Sequence, residues 1–155
     1  MWPFFLTALF IAIADQLSKT WVRSFPEGHT IFQAGFFRIV DVHNTGAAFG
    51  LFQGHSGWLV IVDFLGIALL LLFALYLPRQ LPFLRGWLTR VALGLVLGGT
   101  IGNLIDRLYF GYVTDFLDTS VWPVFNVADS AVTIGMIILV CYLLFSPQAK
   151  KSWNG

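Results

Sequence analysis

Charge is what this chain has least of. Only 11% of its 155 residues are Asp, Glu, Lys or Arg, against roughly a quarter in an ordinary globular domain. With 57% hydrophobic residues and a mean hydropathy of +0.79, a water-soluble fold around a conventional core is excluded, and lipid must be part of the solvent. The formal net charge of +1 gives no basis for binding nucleic acid. Cysteine is nearly absent: Cys141 alone cannot form an intrachain disulfide or a cysteine-only metal site, and it reads as a small buried hydrophobe. Histidine is scarce, with His29, His43 and His55 all between the first two apolar runs. There is no H-E-x-x-H, so no zinc peptidase site, and three scattered histidines make a poor metal site. Gly54-His55-Ser56-Gly57 fits the G-x-S-G string of membrane serine proteases, but a base for Ser56 would have to come from another helix, and none carries a histidine. Phosphate-binding and dinucleotide glycine loops are missing, as are internal repeats and low-complexity segments.

What is present is apolar length. About 20 helical residues cross ~30 Å of hydrocarbon, and four segments qualify, near residues 4–23, 58–77, 88–109 and 125–145. Trp21, Trp58, Trp87 and Trp122 stand near their ends, as interfacial aromatics do. The first run has no basic residue ahead of it and no small-x-small site after it, and it carries Asp15, Gln16 and Lys19; it reads as a retained helix, not a removed signal peptide. Arg79, Arg85 and Arg90 cluster around the loop between the second and third spans, and Lys150 and Lys151 lie in the tail, while Glu27, Asp41, Asp115 and Asp118 lie on the other side. The positive-inside bias therefore expects cytoplasmic termini, with residues 24–57 and 110–124 outside. Within the first outer segment, Phe36 to His43 partly alternates and reads as a strand, Thr30-Ile31-Phe32 as a short partner, and Asn44-Thr45-Gly46 as a turn. The fold class expected is a mainly α membrane protein, a single four-transmembrane-helix bundle with a small extracytoplasmic β-cradle.

The few charges are not scattered. Asp15, Lys19 and Arg23 recur at four-residue spacing and share a helix face, either as an intrahelical ion pair or as support for a site inside the bundle. The third span carries Gly94, Gly98 and Gly102 with Gly99, a small-xxx-small pattern for close helix packing. Asn103, Asp106 and Arg107 follow, with Asp106 and Arg107 read as a neutralised pair that orients other carboxylates. Asn126, Asp129, Ser130 and Thr133 share a face at the start of the fourth span, where Asp129 would suit the helix dipole as a cap. Asp115 alone would pass as a loop residue. Together, on segments that converge on the outer side, Asp115 and Asp129 read as a functional pair. Asp63, inside the second span, has no partner visible in the sequence.

Five ordered blocks carry a family resemblance: Asp15-Gln16-Leu17-Ser18-Lys19, Asn44 to Gly50, Gly98 to Arg107, Val113-Thr114-Asp115-Phe116 and Phe125 to Ser130. Over nearly the whole chain the sequence resembles lipoprotein signal peptidase, or signal peptidase II. The resemblance implies a bacterial inner-membrane aspartic endopeptidase with no cofactor and no metal. Its substrate is a diacylglyceryl-modified prolipoprotein, cut before the lipidated cysteine at the periplasmic face, and the family is inhibited by the cyclic peptide globomycin. Asp115 and Asp129 match the catalytic pair, and Asp15, Lys19, Asn44, Gly99, Asn103, Asp106, Arg107 and Asn126 match residues that support the site or bind substrate. A monomer working in contact with membrane lipid is expected. The competing expectation, from a different class, is a proton-coupled transporter or channel subunit that uses the aspartates as a relay.

Overall fold

The computed structural model describes residues 1–46 and 56–145. Along the chain run α1 (Trp2–Val22), β1 (Thr30–Ala34), β2 (Phe37–Asn44), α2 (Ser56–Gln80), a 3-10 turn (Pro82–Arg85), α3 (Trp87–Phe110), β3 (Val113–Asp118) and α4 (Val127–Phe145). All four α-helices are long and apolar enough to cross a membrane, close to the expected bounds. The fourth starts at Val127, two residues later than its apolar run, because Asn126 caps it. The Gly54-His55 half of the G-x-S-G string, the end of the Asn44–Gly50 block and the lysines of the tail lie outside the described residues.

α3 is the central helix, packed by α1, α2 and α4. Its apolar window is 56% buried, whereas that of α2 is 6% buried. α2 therefore turns nearly all of its surface outward, with Ile61, Val62, Leu65 and Leu69 exposed, a surface that only lipid tolerates. Cys141 also faces outward from α4, not inward as its apolar setting suggested. The sequence pattern around it is apolar on all sides and so does not tell a lipid-facing position from a core one.

The glycine ladder of α3 is divided between two neighbours. A Cβ added at Gly94 would lie 2.6 Å from the Phe4 carbonyl oxygen, at Gly98 2.5 Å from that of Ala8, and at Gly102 2.5 Å from Asp15 Oδ2, so these three positions seat α1. One at Gly99 would collide with the Ala128 carbonyl oxygen, which seats α4. Gly135 returns the fit from α4, facing the Ala92 carbonyl oxygen. Close backbone approach of this kind holds membrane helices together where no hydrophobic drive acts between them.

Beyond the C-terminal ends of α1 and α3, β1, β2 and β3 form an antiparallel sheet in that order. The expected hairpin is present, and Gly46 N–H bonds to Asn44 Oδ1 at 2.9 Å, an Asx turn at the end of β2. β3 corrects the reading of Asp115 as a loop residue. Gly111 ends α3 at φ 77° with its N–H on the Arg107 carbonyl, a left-handed cap that favours glycine. The chain then turns straight back along β2, with Val42 opposite Asp115 and Asn44 opposite Val113. Phe125 bridges to Leu117, so the chain after β3 folds back and delivers Asn126 to the start of α4.

Candidate active site

Asp129 is the third residue of α4. Asn126, just ahead of that helix, accepts the Asp129 N–H on Oδ1 at 2.9 Å, while Asp129 Oδ2 accepts the Asn126 N–H at 3.2 Å. That reciprocal arrangement is a capping box, so the capping reading of Asp129 holds. Its other oxygen, Oδ1, accepts from Asn103 Nδ2 at 2.8 Å. The cap fixes the carboxylate's position, and the helix N-terminus adds a favourable dipole.

Asp115 comes from β3. Alternation along the strand sends Val113 and Asp115 to one face, where both line the same cavity as Val42 and Asn44. Asn44 Nδ2 donates to Asp115 Oδ2 at 2.8 Å, and Asn126 Nδ2 donates to Oδ1 at 2.7 Å. Asn126 Nδ2 also reaches Asn103 Oδ1 at 3.1 Å. Two amide side chains therefore join the two carboxylates: Asp115 to Asn126, Asn126 to Asn103, and Asn103 to Asp129. Burial, and next the Asp129 carboxylate, push Asp115 up to about 7, against the opposing pull of the Asn44 and Asn126 amides.

Behind this pair lies a buried ionic layer. Lys19 Nζ contacts Asp15 at 2.8 Å and Asp106 at 3.2 Å, with all three side chains fully buried, and it donates to Asn103 Oδ1 at 2.8 Å. Arg23 adds a second cation on Asp106 at 3.2 Å. Two acids and two bases thus balance, which a buried cluster needs. The layer also grips the site's elements. Asp15 Oδ1 accepts the Ala128 N–H in the first turn of α4 at 2.9 Å, and Asp106 Oδ2 accepts the Thr114 N–H of β3 at 3.0 Å. The intrahelical pair and the inward-facing support expected for the first span are therefore the same contact.

The expected Asp106–Arg107 pair does not form. Adjacent helix residues point about 100° apart, so Asp106 faces Lys19 and Arg23 while Arg107 faces α2. There Arg107 meets Asp63 at 2.8 Å, which supplies the partner that Asp63 lacked in the sequence. A lone acid in an apolar run was the available signal, but its partner is set by tertiary packing.

A cavity of about 560 Å³ opens over these groups. Asn44, Asn103, Arg107, Asp115 and Asp129 line it, together with Thr133 from the polar face expected on the fourth span and with Asp63 and Thr100, to which the sequence assigns no role in the site. Asp15, Lys19, Asp106, Gly99 and Asn126 stand behind the wall. Two carboxylates held at fixed positions in one partly apolar cavity can exchange a proton with a bound molecule between them.

The model of the family "Signal peptidase (SPase) II" matches residues 7–145. A lipoprotein signal peptidase of Dehalococcoides mccartyi is 49% identical over 147 residues, covering 94% of this chain and 91% of that protein. One of Moorella thermoacetica is 46% identical over 151 residues, covering 96% and 97%. A bacterial membrane enzyme solved by the in meso method at 2.3 Å superposes with a TM-score of 0.80 at 32% identity, over 90% of this chain and 85% of that one. A second such structure, at 1.9 Å, gives 0.77 at 32% identity, over 91% and 92%. With the four-helix architecture, the small sheet and a match along almost its whole length, the chain belongs to the signal peptidase II family of membrane peptidases.

Proposed function

We propose that the chain is an aspartic endopeptidase that removes the signal peptide from diacylglyceryl-modified bacterial prolipoproteins, cutting before the lipidated cysteine. Lipoprotein signal peptidases nearly half identical to it support the substrate class. One observation carries the mechanism: Asp115 and Asp129 line one cavity and are linked through Asn126 and Asn103. Two carboxyls this closely coupled share one proton. Asp115, raised to about 7, is the member that holds it near neutral pH. Asp129 then takes a proton from water as the water oxygen attacks the scissile carbonyl carbon. The Asp115 O–H hydrogen-bonds the developing oxyanion and gives its proton to the leaving nitrogen as the C–N bond breaks. The proton gained by Asp129 leaves one proton on the pair for the next cycle. The mechanism predicts that EDTA leaves cleavage intact; activity lost with chelator and regained with zinc would contradict it.

The chain acts as a single membrane domain and a monomer in the bacterial cytoplasmic membrane. Both termini and the 78–87 turn lie in the cytoplasm and the cavity on the periplasmic side, as the distribution of Arg and Lys favours. Globomycin-type cyclic peptides would compete for the same cavity. A proton relay, by contrast, needs carboxylates spaced across the bilayer, and Asp115 and Asp129 share one end. The direct test is incubation of purified protein with a diacylglyceryl-modified precursor and with its unlipidated form. A gel shift for the lipidated form alone is expected; cleavage of both alike would remove the lipid from substrate recognition, and cleavage of neither would contradict the peptidase reading.

A further inference from the structure

Asp63 is the single charged residue of α2 before Arg79. The buried packing of α2 runs through Ile67, Leu70, Leu71 and Ala74 against Phe4, Ala8, Leu93 and Leu97. One turn nearer the outer side stands Asp63, where Gly66 and Gly57 meet nothing and neighbouring Val62 and Phe64 face outward. Asp63 is also, among the described residues, the one α2 residue that lines the cavity. Its Oδ2 accepts a hydrogen bond from Arg107 Nη1 at 2.8 Å, with both side chains largely buried. A carboxylate on a lipid-facing helix is costly, and the ion pair offsets that cost. The same bond has a second effect. Arginine's donors form a rigid planar fork, so holding one nitrogen fixes where the others point. Among the described residues those other donors meet no acceptor, and Arg107 stands one helical turn from Asn103, the residue that holds Asp129.

Resting on the peptidase reading above, we propose that Asp63 is a positioning residue for substrate: it holds the Arg107 guanidinium at the cavity wall so that its remaining donors take a carbonyl of the bound peptide. Asp63 itself touches no reacting atom. Its effect belongs to binding, which the ground state and the transition state share, and so appears in KM.

The test is steady-state cleavage of a diacylglyceryl-modified precursor by full-length variants in detergent. Asp63→Asn should raise KM about tenfold and leave kcat within about twofold, as expected for loosening one charged hydrogen-bonding group. Asp63→Glu, which keeps the charge, should recover most of the loss. Asp63→Asn added to Arg107→Gln should cause no further change, because the two residues act as one unit. Asp63→Leu suits an apolar helix and carries the same KM test if the amide variant folds poorly. Wild-type KM in both Asn and Leu variants would overturn the proposal. So would a fall in kcat at unchanged KM, which signals fewer folded molecules, or effects that add to those of Arg107→Gln. Absence of cleavage by the unaltered chain in the same assay would instead overturn the peptidase reading and the proposal with it.

Discussion

At the scale of residues, the account turns on one proton. Asp115 rises to about 7 through burial first and the Asp129 charge second. If Asp115 is the acid, kcat/KM falls as pH rises through about 7 and the proton is lost; a rate that climbs steadily from pH 6 to 9 would contradict this. Stability follows the same sign. The folded protein holds this proton where the unfolded chain, with a carboxyl near 3.8, has released it. The contribution is therefore fully present below the unfolded value and lost as pH climbs through about 7. Melting temperature in detergent should show that loss as pH rises from about 3.8 to about 7 in the wild type, and Asp115→Asn should lack that part of it. The two aspartates were legible in the sequence because a carboxylate at an apolar edge is expensive enough to be noticed. Asp63 was equally visible, but its role was not, because its partner Arg107 lies 44 positions away on another helix.

At the scale of elements, the glycines and the cap set where the carboxylates sit. Gly99→Ala drives a methyl into the Ala128 carbonyl of α4, next to Asp129 in the chain. It should cost about 1–3 kcal/mol of stability and, by displacing Asp129, a larger share of activity. Gly66→Ala on α2 meets open space and should be neutral or mildly stabilising; thermal melts of both variants, with activity measured alongside, check the contrast. The glycine ladder was readable as a packing motif, and its division between α1 and α4 follows from the 100° step between Gly98 and Gly99. β3 was not readable. Val113 to Asp118 is short and carries two acids, and it is a strand because β2 lies beside it and α3 ends at Gly111, neither of which is a local signal.

At the scale of the whole molecule, four apolar runs were enough to set the architecture, since a chain so poor in charge has few ways to fold outside lipid. Which face of each run meets lipid was less accessible, as Cys141 shows by facing outward. Orientation is open to a direct check. In a Cys141→Ala background, a cysteine at exposed Ser120 should react with an impermeant thiol reagent added from the periplasmic side, and reaction only from the cytoplasm would invert the topology. The central claim, that Asp115 and Asp129 together cut the precursor, is tested most directly by cleavage of a diacylglyceryl-modified prolipoprotein with purified wild type, Asp115→Asn and Asp129→Asn, each confirmed folded by its melting curve. The account predicts loss of activity by at least about a thousandfold in each variant, whereas near-wild-type processing by either one would contradict it.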